Sequence, residues 1–181
     1  MSLNKAWLVI VGVVMWGSLN VFANTLKYVP GIKVGKGVVA LVNDVEYERN
    51  IFPFITSYIR FGGAGYNVPG ASNVSAKFSN IGAGIRANAL LLTIGAGFES
   101  SQVELTDGLS GGRASGAISG LVVDVGKSFG IGPISLGASI GLQFAVNRMQ
   151  YDDGDSFGLG DLALDGSSTL LKVDFSAGYH F

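Results

Sequence analysis

An all-β fold, an antiparallel up-and-down β-barrel of eight strands, is what this sequence predicts, and three observations carry the prediction. Apolar residues alternate with small or polar ones at period two over most of the chain, and helical stripes are absent. Short connections alternate with longer ones rich in Gly, Ser, Asn and Asp. The chain is apolar without being apolar in runs. Hydrophobic residues make up 48%, charged residues only 14%, and there are 28 Gly, where soluble proteins carry roughly 25% charge. Past the N-terminal segment, nothing approaches the ~18 unbroken apolar residues of a membrane helix. The length of 181 residues suits one domain. A net charge of -1 gives no electrostatic case for nucleic acid, and the absence of Cys excludes disulfides and thiolate metal sites.

Taken in order, the first element reads as an export signal. Lys5 supplies a positive charge, residues 6–17 (AWLVIVGVVMWG) an apolar core, and Val21-Phe22-Ala23 a small-residue cleavage site. Residues 1–23 are therefore expected to be a signal peptide and 24–181 the barrel domain. The first strand is expected over 25–34 (TLKYVPGIKV), although Pro30 withholds a ladder donor there. Parity requires that strand, because single-chain bacterial barrels have an even number. Seven further strands are expected at 38–47, 52–65, 76–86, 90–101, 115–126, 134–147 and 169–181. The last two are the clearest. Ile134, Leu136, Ile140, Leu142 and Phe144 share one face, as do Leu171, Val173, Phe175, Tyr179 and Phe181. Tight connections are expected at 48–50, 87–89 and 127–133, and long ones near 66–75, 102–114 and 147–167.

Which face looks outward decides the environment. A soluble barrel would hide its apolar face inside and show water a surface of Gly, Ser and few charges. The export signal and the low charge favour the inverse, a membrane-spanning barrel with its apolar face on lipid. Asp44, Glu46, Arg60, Arg86, Glu99, Asp124, Lys172 and Asp174 then point inward, since a charge facing lipid near the midplane can cost ~2–4 kcal/mol. These eight are expected to form a polar plug rather than an ion path, because eight strands leave little room inside. Glu99, on the strand after that of Arg86, is the expected partner of Arg86.

The closing residues KVDFSAGYHF resemble the terminal assembly signal of outer-membrane proteins, with Phe181 as terminal aromatic and Tyr179 and Phe175 on the same face. The segment Val45-Glu46-Tyr47-Glu48-Arg49-Asn50 before an apolar strand looks like a turn of small barrels. In plan the chain is similar to the small eight-stranded outer-membrane barrel family, of OmpX/opacity and OmpA-transmembrane type. That resemblance implies a place in the bacterial outer membrane. It also implies contact with its lipid and lipopolysaccharide, recognition of Phe175, Tyr179 and Phe181 by the barrel-assembly machinery, and a monomer.

Catalytic chemistry is sparse. A resemblance to the lipid A deacylases and palmitoyltransferases built on barrels of this size would imply a catalytic His with a Ser partner. The one histidine, His180, lies beside the C-terminus, at the wrong end for an outer-leaflet substrate. Glycine clusters such as Gly62-Gly63-Ala64-Gly65 precede no helix, so no phosphate loop is read. Asp152, Asp153, Asp155 and Asp161 are dense enough to suggest calcium, but they fit no EF-hand spacing and suit a solvated external loop. No cofactor is expected. The sequence reads as a non-enzymatic barrel with an envelope-structural or surface-contact role and an unidentified surface ligand. A narrow solute channel and a lipid-modifying enzyme remain the alternatives.

Overall fold

A computed structural model of the chain describes residues 24–35, 38–67, 74–89, 92–109, 111–146, 150–153 and 169–181. The segment expected to be a signal peptide, residues 1–23, lies outside the described residues. The strands are β1 (Asn24–Gly35), β2 (Val38–Phe52), β3 (Ile55–Asn67), β4 (Val74–Asn88), β5 (Thr93–Asp107), β6 (Arg113–Ile131), β7 (Ile134–Ala145), β8 (Gln150–Asp153) and β9 (Leu170–His180). Every pairing is antiparallel, each long strand beside its sequence neighbours, and β1 pairs with β9 to close the ring. The short β8 pairs with β6 at Ala114–Ala117, beyond the stretch of β6 that β7 covers, so it continues the line of β7. The barrel thus has eight walls.

The register fixes its shape. One row of paired residues runs from Gly126 through Ser139, Asp174, Gly31, Val42, Ala64, Phe78 and Val103. It returns to β6 at Gly116, ten residues from its start. That stagger tilts the strands by roughly 40°, as barrel closure demands. Asn24 and Phe181 exchange backbone hydrogen bonds at one end, here the terminal end. The opposite end is the far end.

Several connections differ from the sequence expectation, always because a strand runs on. Residues 48–50 belong to β2, and the turn is Pro53 and Phe54, with a register shift between Asn50 and Phe52 marking a bulge. Residues 127–131 belong to β6, leaving only Gly132 and Pro133 as the turn. A φ of 61° at Gly132 followed by a proline fits a type II′ hairpin, whose first central position takes Gly. The expected loop 102–114 is mostly strand. β5 and β6 stay paired up to Thr106 and Arg113 and form a hairpin rising at the far end. Within the expected loop 147–167, Gln150–Asp153 is strand and the remainder lies outside the described residues.

β1 forms despite Pro30. It pairs with β2 without interruption, but its pairing with β9 lapses between Tyr28↔Ala177 and Gly31↔Asp174, opposite the residue that has no N–H. The outward face is apolar: Leu26, Leu41, Phe61, Ile81, Phe98, Leu121, Ile140 and Phe175 all lie open on it. Phe129, Ile131, Tyr179 and Phe181 ring the terminal end. Among the described residues no helix is long and apolar enough to cross a membrane.

Candidate functional site

The inward residues sort into layers along the barrel axis. Nearest the terminal end is an open vestibule of about 810 Å³. The wall formed by β1 to β4 presents Lys27, Glu46, Glu48, Arg60 and Arg86; the wall of β6, β7 and β9 presents mostly Gly and Ser. The cavity exists because long side chains on one side face small ones on the other.

The vestibule ends on a charged floor. Glu46 is at its centre, 1% exposed. It accepts from Arg60 Nε at 2.8 Å and from Arg86 Nη2 at 3.0 Å. Arg60 reaches on to Asp174 at 2.6 Å, and Arg86 to Glu48 at 2.5 Å; Glu48 also holds Lys27 at 2.6 Å. The Arg86 guanidinium lies 4.2 Å over the Tyr58 ring, so its flat face is covered as well as its edge. Charge-assisted bonds at these lengths are the strong kind, and here they satisfy groups removed from water.

A second charged layer lies farther along the axis. Glu99 pairs with Lys33 and, at 2.6 Å, with Lys172. Asn80 and the fully buried Gln143 sit near this level. Beyond it the lumen turns apolar: Ala40, Val42, Ala76, Val103, Leu105, Ile118 and Leu170 are all buried. A cavity between the two charged layers measures about 10 Å³ and one beside the apolar residues about 20 Å³, room for a single water at most.

All eight residues of the expected charge cluster turn their side chains inside, and all are buried. The pairing differs from expectation. Glu99 does not meet Arg86, whose acids are Glu46, Glu48 and, at 3.6 Å, Asp124. Partners in a narrow lumen reach across and along it, so adjacency in the sheet is a poor guide. The sequence reading also missed Lys27, Lys33 and Glu48. Glu48 is in phase with Asp44 and Glu46, and the two lysines are in phase with Val29, so alternation continued through the expected turn and past Pro30 would have found them.

His180 lies at the terminal mouth, its Nδ1 2.7 Å from Thr25 Oγ1 across the closing seam. Phe175, Tyr179 and Phe181 face outward. Of the acidic loop residues, Asp152 and Asp153 fall in β8, while Asp155 and Asp161 lie outside the described residues. Among the described residues no group of His, Cys, Asp and Glu could hold a metal ion.

No protein-family model and no curated protein matches the chain. Solved structures do. Neisserial surface protein A (NspA) superposes with a TM-score of 0.57 at 11% identity, over 88% of this chain and 97% of that one. A major outer membrane protein from Thermus thermophilus gives 0.56 at 14%, over 87% and 99%. Ail, the attachment invasion locus protein of Yersinia pestis, gives 0.53 at 11%, over 88% and 97%. At such identities the likeness is one of fold: the chain is built as the small eight-stranded outer-membrane barrels are.

Proposed function

From a chain with the fold of the small outer-membrane barrels, we propose an integral protein of the bacterial outer membrane, without enzymatic activity, that braces the envelope and offers its far end for surface contact. The single observation that carries this reading is the lumen. Among the described residues two charged layers and an apolar cap stand in series between its ends, which supports a closed lumen and makes the projecting strands the exposed working part. The outward apolar face supports a place in lipid. The names of two similar structures, a surface protein and an attachment protein, agree with a contact role.

In this reading residues 1–23 direct export, and Phe175, Tyr179 and Phe181 engage the barrel-assembly machinery. The terminal end faces the periplasm and the far end faces outward among lipopolysaccharide. The barrel works as a monomer. Its external partner is read by the β5–β6 hairpin, whose tip residue Leu109 is 80% exposed, and by the segment after β8. Loops and hairpins on a rigid scaffold commonly carry recognition.

The test is an epitope tag inserted after Leu109, probed on intact cells after outer-membrane fractionation. Antibody binding without breaking the membrane, with a band whose gel mobility changes on boiling, is the expected result. Recovery in the soluble periplasm, or a tag reached only after lysis, overturns the reading. Planar-bilayer recordings address the sealed lumen: steady, sizeable single-channel currents would restore the channel alternative.

A further inference from the structure

The vestibule has more room and more unused polar capacity than a plug requires. Its four lining carboxylates, Glu46, Glu48, Asp124 and Asp174, face three inward cations, Lys27, Arg60 and Arg86. Lys127 borders the same cavity but belongs to the outward register of β6, and its ammonium lies over the Phe129 ring. The balance inside is one negative charge in excess. Three of the carboxylates are held tightly, at 2.6 to 2.7 Å, and the fourth more loosely. Among the described residues the closest ion pair of Asp124 is a loose one, with Arg86 Nε at 3.6 Å, beyond hydrogen-bond length. Its register neighbours on both sides are glycines, Gly95 and Gly141, so neither can reach its carboxylate.

A second polar group waits nearer the mouth. Ser135 is 5% exposed, lines the vestibule, and its Oγ has no hydrogen-bond partner among the described residues. Ser135 pairs with Gly130, six residues of β6 from Asp124, so the two groups stand about 20 Å apart along the wall at ~3.3 Å per residue. Between them the wall carries Gly126, Ser128 and Gly137, with backbone and small side chains and no bulk.

The geometry points to a binding site for a linear aliphatic amine. Its ammonium enters first and pairs with Asp124, its methylenes lie along the glycine and serine wall, and its far polar end meets Ser135. A divalent metal fits poorly, because it needs several oxygen ligands converging at one point and the described residues hold no such cluster. Anions are repelled by the excess negative charge. The site is a dead end, filled and emptied from the terminal mouth, so it retains its ligand and does not conduct it.

Spermine, long enough when extended to span the two groups with a hydrogen bond at each end, is the probe, titrated into the full barrel refolded in detergent micelles, with amide NMR shifts and calorimetry as readouts. Saturable shifts at Gly95, Asp124 and Ser135 are expected, with none from citrate. A hydrogen bond to a charged group is worth ~1.5–3 kcal/mol, so Asp124→Asn should weaken binding about tenfold or more. Ser135→Ala should weaken it several-fold. Gly130→Leu obstructs the mouth without touching a charge, since a Cβ there meets nothing nearer than 3.9 Å, and should abolish binding in a barrel that still folds. Equal binding by parent and Asp124→Asn, or no saturable shift, overturns the site. So does an Asp124→Asn chain that fails to form the heat-modifiable barrel, for that would make Asp124 structural.

Discussion

The two halves of the lumen solve one problem, filling the inside of a barrel, by opposite means. The half toward the terminal end uses ion pairs around Glu46 and tolerates an open cavity beside them. The half toward the far end uses Val103, Leu105, Ile118 and Leu170 and leaves almost no space. The difference is one of tolerance. Ion pairs are directional and can stand at a cavity wall if each group is satisfied. Apolar packing gains only when gaps close. A barrel sealed by packing at one end can therefore hold a wet chamber at the other.

Substitutions in the two halves should break this comparison with different force. The largest effect is expected from Glu46→Ala, which strips both arginines of their shared carboxylate. Breaking a buried pair costs about 3–5 kcal/mol, read as a lowered urea midpoint in detergent and a lower temperature for the gel shift. An unchanged midpoint would mean the lumen is wet enough to screen the network. Leu105→Ala comes next. Leu105 is 1% exposed, and such truncations cost about 2–5 kcal/mol. Its second signature is sharper: the cap should begin to leak in planar-bilayer recordings, while Glu46→Ala, with the cap intact, should not. If both variants leak, the seal is not the apolar half alone.

Smaller effects sharpen the picture. Tyr58→Leu removes the ring under Arg86 and should cost about 0.5–2 kcal/mol, measured by the same unfolding midpoint. Ser128→Ala, on the open wall of the vestibule, should shift the midpoint by less than about 0.5 kcal/mol. A larger loss there would show that the cavity wall is packed against something.

Much of the charged half is legible in the sequence because alternation is a strong constraint: once one face must avoid lipid, Asp44, Glu46, Arg60 and Arg86 can only point inward. The pairing is not legible, because the tilt brings Arg60 to Asp174 on a strand remote in sequence, a relation no local pattern encodes. The far half misleads for a compositional reason. Residues 102–114 include Thr106, Asp107, Gly108, Ser110, Gly111 and Gly112, which read as loop, and this hides the alternation of Val103 and Leu105 beneath it. Residues 48–50 look like a turn on polarity alone, which conceals that Glu48 continues the inward phase. Polar residues signal turns only where no polar interior is available to take them.

The lapse in the β1–β9 ladder at Pro30 bears on how the barrel opens. A closed ring has no free edge, so it can come apart only by unzipping one seam. This is the seam that joins the two ends of the chain, and the proline makes it a donor short halfway up. Below the gap, the Asn24–Phe181 backbone bonds and the Thr25–His180 contact hold it shut; above it, pairing resumes from Gly31 to Val34. Amide hydrogens along β9 should therefore exchange with solvent deuterium sooner than those along β4, which is paired on both sides without interruption through the barrel wall. The oldest bonds in the life of the molecule would then be those of its middle strands, and the joint made last would be the one that yields first.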